Sequence, residues 1–262
     1  MNPVLVGIPW DKSSSFTEGP AKAPQVIHEW LKSDISSPYS LSGNDLTAVI
    51  ESFEDLSLSN QAEFVRQQIK SSISSKLEND NPVICLGGDH SVTLPILNAF
   101  FDKYGPMNVL HIDAHPDMYE SLGGDRYSHA CPFRRAIEAG YIRNIVQVGL
   151  RSVSPCNREF GRDNGVIMLG ADDIDHIPYD DLNTPLYISI DLDGLDPAFA
   201  PGVSHPEPGG LSTRDVLRIL SQLRAKPVGA DIVELNPRLD HNNITAHLAC
   251  RLTKEIAALM QN

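Results

Sequence analysis

Leu186-Tyr187-Ile188-Ser189-Ile190-Asp191-Leu192-Asp193-Gly194 is the stretch on which the fold turns. Its first five residues are apolar except for one serine and show no polar alternation, which suits a parallel strand buried on both faces. The run then breaks into acidic residues and glycine. The same grammar recurs along the chain: Val4–Ile8, Ala48–Ile50, Val83–Leu86, Val109–Ile112, Ile145–Val148, Val166–Leu169 and Val228–Val233 are short apolar runs, and each is expected to be a strand. Helical spacing fills several of the intervals. Phe64, Val65, Ile69 and Ile73 mark one helix over Gln61–Ile73, and Val92, Leu94, Ile96, Leu97 and Phe100 mark another over Ser91–Phe101. Ser212, with Asp215 three residues on, reads as the N-cap of a third. Ile244, Leu248, Leu252, Ile256 and Leu259 form the stripe of a last one over Asn243–Met260. Strands alternating with helices mean βαβ units and a mostly parallel sheet. Eight strands can close as a barrel or stay open as a sandwich, and periodicity does not choose.

The chain has 262 residues, 41% of them apolar and 21% charged, which fits a globular protein and excludes a disordered or fibrous one. One domain over residues 1–262 is expected, because the Ser-rich stretch Ser33–Ser42 and the Pro-rich segment Gly194–Gly210 read as loops rather than linkers. The net charge of −13 argues against nucleic acid and anionic membrane as partners and favours a cationic ligand. No apolar run reaches the roughly 18 residues of a membrane span. The start, MNPVLVGIPWDK, lacks the basic and apolar regions of a secretory signal. Cys85, Cys131, Cys156 and Cys250 form no CxxC pair and read as reduced thiols, so a cytoplasmic location is expected.

Three polar clusters follow expected strands, the end of an α/β sheet at which ligands bind. They are Gly87-Gly88-Asp89-His90, Asp113-Ala114-His115-Pro116-Asp117 and Asp191-Leu192-Asp193-Gly194-Leu195-Asp196-Pro197. Side chains two apart in an extended segment share a side, so Asp113, His115 and Asp117 can converge, as can Asp191 and Asp193. With His90 they make four carboxylates beside two imidazoles at adjacent strand ends, a set that repels itself unless cations are present. Mixed carboxylate and imidazole donors suit two divalent ions, with the carboxylate excess favouring Mn²⁺ over Zn²⁺. Each fragment alone reads equally as a turn or a helix cap; the conjunction makes the metal reading.

GGDH, DAHPD and SIDLDGLDPAFAPGVSHPEPGGLS together resemble the signature segments of the ureohydrolase superfamily, the arginase and agmatinase family, and the likeness spans nearly the whole chain. The resemblance implies a three-layer α/β/α sandwich around an eight-stranded, mostly parallel sheet, in place of the barrel, and a binuclear manganese cluster. It implies that His90, Asp113, Asp117 and Asp191 hold one ion, and that His115, Asp193 and the bridging Asp113 and Asp191 hold the other. Two such ions lower the pKa of a shared water and supply hydroxide at neutral pH; Asp117, beside it, can pass a proton to the leaving amine. His129, in Asp125-Arg126-Tyr127-Ser128-His129-Ala130, matches the family's loop histidine, a proton shuttle. Glu234, in Asp231-Ile232-Val233-Glu234, matches its guanidinium-binding glutamate, suited to a bidentate pair.

His111 reads as a strand or supporting residue, Asp196 and Asp231 as orienting or capping groups, and His205 as part of the rim; His241 and His247 have no motif behind them. SHPEPGGLSTRDVLRIL, DRYSHACPFRR and QVGLRSVSP look most like plant-type arginases, a branch closer to agmatinases than to animal arginases. That branch typically has Asn where this chain has Asp125, which suits an ammonium better than a carboxylate, while Arg126 is a candidate for the carboxylate. The expected substrate is a small guanidine, arginine before agmatine before 4-guanidinobutyrate, turned over by a homo-oligomer, trimeric or hexameric as family members usually are. A deacetylase-type hydrolase with one zinc would have fewer ligands. A metal-free pseudoenzyme acting as a binding protein would be expected to have lost one.

Overall fold

The computed structural model describes residues 2–261. Its sheet has eight strands in the order β2-β1-β3-β8-β7-β4-β5-β6, every pairing parallel. They are β1 (Val4–Ile8), β2 (Glu54–Asp55), β3 (Val83–Gly87), β4 (Met107–Ile112), β5 (Ile142–Val148), β6 (Ile167–Leu169), β7 (Leu186–Asp191) and β8 (Pro227–Val233). With β2 and β6 at its two edges the sheet is open, so the barrel falls away and the α/β/α sandwich stands.

Strand residues alternate between two cores. Leu5, Ile84, Leu86, Leu110, Ile112, Ile188, Ile190 and Ile232 pack towards α1 (Ala23–Leu31), α2 (Thr47–Glu51), α7 (Thr213–Ser221) and α8 (Ile244–Gln261). Val6, Ile8, Val83, Cys85, Val109, Ile145 and Tyr187 pack the other way, against α3 (Ala62–Leu77), α4 (Thr93–Tyr104) and α5 (Pro132–Glu138). A strand with a helix layer on each face needs apolar residues at every position, hence the unbroken runs. The sixth α-helix in chain order, α6 (Pro155–Asp163), is capped by Ser154, whose hydroxyl accepts from the Asn157 N–H.

One expected strand is wrong. Ala48–Ile50 lies inside α2, with Val49 and Ile50 turned into the first core. Three apolar residues are too few for period to separate strand from helix, and Asp45 Oδ1 accepts the Thr47 N–H 2.9 Å away where the helix begins. The eighth strand is Glu54–Asp55, exposed and charged, paired through Val6↔Glu54 and Gly7↔Asp55. A short acidic edge strand has no apolar signature, and its charge discourages further pairing. The remaining expected runs are strands to within a few residues, and the Ser212–Asp215 capping box is present.

The neighbours β3, β8, β7 and β4 occupy the middle of the sheet, and the chain leaps over β8 and β7 in passing from β3 to β4. A crevice outside the carboxyl ends of strands at such a crossing is where α/β proteins hold ligands. All three polar clusters, and Glu234, emerge there.

Candidate metal centre and substrate cavity

Glycine sets how closely the loops approach. A Cβ on Gly88 would lie 1.7 Å from the Trp10 carbonyl oxygen, and one on Gly194 would lie 2.7 Å from the Asp113 nitrogen. Without side chains at these positions, β3's end closes on the N-terminal loop, and β7's end closes on β4's. Asp117 and Glu234 are non-glycine residues at positive φ, 52° and 65°. Such strain persists where surrounding bonds over-determine it: the Asp117 carbonyl accepts the Phe133 N–H, and the Glu234 N–H donates to the Gly88 carbonyl.

His90 shows how the centre is wired. Asp231 accepts the hydroxyl protons of Thr93, Tyr187 and Ser189 at 2.8, 2.7 and 2.6 Å. Ser189 has thereby spent its one proton, so its oxygen accepts from His90 Nε2–H at 3.0 Å. That fixes the tautomer and leaves His90 Nδ1 bare. This atom is buried without a hydrogen-bond partner, yet faces Asp113 Oδ2, Asp117 Oδ2 and Asp191 Oδ2 at 3.2, 3.0 and 3.2 Å. A lone pair aimed at three carboxylate oxygens is a cation site. Burial alone would depress this imidazole, but those carboxylates hold its pKa well above the ordinary value, so without metal it takes a proton.

A second group adjoins the first. His115 Nδ1 lies 3.4 Å from Asp113 Oδ1 and 3.2 Å from Asp193 Oδ2. Asp113 therefore turns one oxygen to each group, the disposition of a bridging ligand. His111 Nδ1 accepts from the Gln147 amide at 3.0 Å, and its Nε2–H donates to Asp113 Oδ2 at 2.8 Å. His111 thus orients the bridging carboxylate, the supporting place its position in the strand suggested.

The carboxylates sort by neighbour. Burial opposes charge on Asp113, but His111, His115 and His90 hold it well below the usual range. Burial and the charges of Asp193 and Asp113 push Asp191 well above it, and burial with Asp113 pushes Asp193 to about 7. Two cations would relieve both, which is the fit of this donor set to a pair of divalent ions.

Beside the cluster lies a cavity of about 190 Å³ whose wall includes Ser15, His115, Asp117, Tyr119, His129, His205 and Glu234. His129 Nδ1 sits 2.8 Å from Glu234 Oε1, while its Nε2 lies 3.2 Å from the Ser15 N–H and 2.9 Å from Ser15 Oγ. A backbone N–H only donates, so Nε2 accepts and the His129 proton resides on Nδ1, shared with Glu234. Burial works against the imidazolium, yet the Glu234 charge raises His129 to about 9. In return His129 overcomes the burial of Glu234 and holds it below the ordinary value. The other glutamate oxygen, Oε2, is buried and has no partner.

The structure brings His90, Asp113, His115, Asp117, Asp191, Asp193, His129 and Glu234 together. Asp125 and Arg126 stand apart from the cavity wall: the Asp125 carboxylate accepts the Tyr127 N–H, and Arg126 reaches Glu138 at 3.7 Å. Arg151 is no free cation either, since its nitrogens donate to the carbonyls of Gly149, Asp193, Gly194, Leu195 and Glu207. Ser15 and Ser189 were not foreseen. Ser15 sits in a run of three serines with nothing to distinguish it, whereas the lone serine inside the apolar run Leu186–Ile190 was a signal available to be read.

Fold and family together define a ureohydrolase, an enzyme of amidino C–N bonds, and His and Asp groups able to hold metal ions gather at its strand ends. The chain belongs to the arginase family, whose sequence profile, described as "Arginase family", matches residues 1–258. It is 39% identical to "Arginase 1, mitochondrial" of Arabidopsis thaliana over 97% of this chain and 80% of that protein. It is 31% identical to an agmatinase of Photorhabdus laumondii, over 98% and 86%. The solved "Arginase from Medicago truncatula" superposes with a TM-score of 0.90 at 36% identity, covering 99% of this chain and 87% of that one.

Proposed function

We propose that this chain is a binuclear manganese hydrolase that releases urea from L-arginine and leaves ornithine. The observation that carries the reading is Glu234: a buried carboxylate with one oxygen on His129 and the other unpartnered, in the wall of a small cavity beside the donor cluster. A buried anion lacking a partner calls for a cation, and a guanidinium can meet it through its N–H fork. Likeness to arginases at 36% and 39% identity supports arginine as the substrate.

His90, Asp113, Asp117 and Asp191 would hold one Mn²⁺, and His115, Asp193, Asp113 and Asp191 the other. When bound, the ions act as Lewis acids that make hydroxide available at neutral pH. The chain's own residues do the rest. Glu234 orients the guanidinium and excludes water from its far side. His129 holds a proton at Nδ1 and, through Nε2 and Ser15, can pass one between the leaving amine and solvent. Asp117, beside the cluster at its strained φ, is placed to move a proton as well.

Agmatine is a second reading with an observation of its own. Arg126 and Arg151 are both engaged elsewhere, and the described cavity wall includes neither lysine nor arginine to meet a substrate carboxylate, which agmatine lacks. Urea release measured across arginine, agmatine, 4-guanidinobutyrate and 3-guanidinopropionate decides: a kcat/KM for agmatine above that for arginine overturns the first reading. Metal analysis separates the other classes, with two Mn²⁺ per chain expected, against one Zn²⁺ for a deacetylase-type hydrolase and none for a binding protein. No helix among the described residues is long and apolar enough to cross a membrane. A trimer or hexamer in the cytoplasm belongs to the same proposal, with light scattering and cell fractionation as its tests.

A further inference from the structure

A groove of about 590 Å³ lies between α3, α4 and α5, on the outer surface of one helix layer, and it has the opposite charge problem from the metal centre. Its wall includes Arg66 and Lys70 from α3, Asn98 from α4, Arg135 and Glu138 from α5, and Tyr127. Arg135 is only 7% exposed. Its Nη2 bonds Glu138 at 3.0 Å, while Nε and Nη1 are buried with no partner at all. Glu138 is oversubscribed, because Arg134 Nε at 2.9 Å and Arg126 Nη2 at 3.7 Å lean on the same carboxylate. Lys70 is balanced by Asp102 at 2.8 Å. Among the described residues Arg66 has no carboxylate partner; its guanidinium lies over the Tyr127 ring, 4.0 Å from the centroid. Glu63 is the one other acid in the wall. Three guanidiniums, those of Arg126, Arg134 and Arg135, thus share the single Glu138 carboxylate, in a chain whose net charge is −13. A buried guanidinium left half-paired is costly unless an acceptor arrives.

We infer that this groove is a binding site for a small dianion, a phosphate or a dicarboxylate, gripped by Arg66 and Arg135. Both ligand types present paired oxygens that match the planar guanidinium fork, the geometry for which arginine is better suited than lysine. The volume falls within the range of small-molecule sites, and Asn98 and Tyr127 supply neutral contacts around the charge. The site is separate from the cavity that holds His129 and Glu234, so it owes nothing to the substrate assignment.

Calorimetric titration of the metal-loaded enzyme at low ionic strength, with inorganic phosphate and separately with succinate, tests it. One saturable site per chain is expected for at least one of the two, and the tighter of them identifies the source of the charge. Arg66→Gln and Arg135→Gln should each weaken binding about tenfold or more, as loss of a hydrogen bond between charged groups does. Lys226→Gln, at an exposed position just before β8, should leave it unchanged, and Arg66→Gln should release urea at the wild-type rate when no anion is added. Should Arg135→Gln fail to fold, Arg66→Gln on the outer face of α3 still decides. No saturable binding of either anion, wild-type affinity in Arg66→Gln, or an equal loss in Lys226→Gln would each overturn the assignment.

Discussion

The metal centre and the α3/α4/α5 groove are mirror images in charge and opposites in construction. At the strand ends the acids are embedded in a supporting layer: Asp231 holds Ser189, Ser189 holds His90, and Gln147 holds His111 against Asp113. His90 and the Asp113 carboxylate therefore have fixed directions before any ion arrives, which is the preorganisation that metal chemistry needs. The groove has nothing comparable behind Arg135, whose two nitrogens simply lack acceptors, and Arg66 rests on a tyrosine ring. A concentrated charge of one sign marks a ligand site in both places, but only the wired one is built to do chemistry.

The largest effect expected from breaking that contrast is removal of the metals. Chelation should erase the enzymatic rate acceleration, typically at least about 10⁶-fold, and Mn²⁺ should restore it. Asp113→Asn should come close to the same result, because both donor groups use that carboxylate, and should cost more than replacing His90, which serves one. Undiminished urea release from chelated enzyme would remove the metal mechanism. Next comes His129→Asn, which should lower kcat by about 10²–10⁴ with the metal content intact; loss of metal instead would make His129 a ligand or a scaffold residue. Glu234→Gln keeps the shape and removes the charge, and should weaken kcat/KM by about 2–5 kcal/mol. That loss should be equal for arginine and agmatine, since both share the guanidinium, and an unequal loss would place Glu234 at the other end of the substrate.

How far the sequence could be read follows the same divide. Strands with helices on both faces write themselves as apolar runs, and residues at i and i+2 after them share a direction, so the sheet and the donors from His90 to Asp193 were legible. Glu54–Asp55 was not, because an exposed edge strand is held by backbone bonds that leave no pattern in its side chains. Nor was the partnership of Arg126 with Glu138 in place of a substrate, since nothing local records where a long side chain in a loop will point. The grip of Ser15 on His129 crosses 114 residues of sequence and depends on a backbone N–H that any residue would supply.

The supporting layer itself predicts a smaller effect. Ser189→Ala removes the acceptor that fixes the His90 tautomer and should lower metal affinity about 10–100-fold, the usual cost of losing a second layer around a ligand. Catalysis at saturating Mn²⁺ should recover most of its rate. Affinity unchanged in Ser189→Ala would mean that the three carboxylates alone orient His90.

The finest test is the pH dependence of metal binding. Ligands must shed their protons before they coordinate, so acid competes with metal. Without metal, His115 is drawn up to about 12, because Asp113 and Asp193 outweigh the opposing effect of burial, and Asp193 is pushed to about 7 by burial and by Asp113. Each proton displaced makes affinity rise about tenfold per pH unit below that group's pKa. Above pH 7 Asp193 is already ionised and contributes nothing further, while below pH 7 its proton must leave along with the others. Metal affinity should therefore climb with pH throughout the neutral range, and the climb should be steeper by about one proton below pH 7 than above it. Titration with Mn²⁺ in buffers of different ionisation enthalpy counts the protons directly. Replacing Asp193 with Asn should remove the break near 7 while leaving the remaining slope. A single unbroken slope in the native protein would mean that Asp193 is already ionised in the metal-free cluster, and that the cations are called for by Asp191 and the other carboxylates around His90 alone.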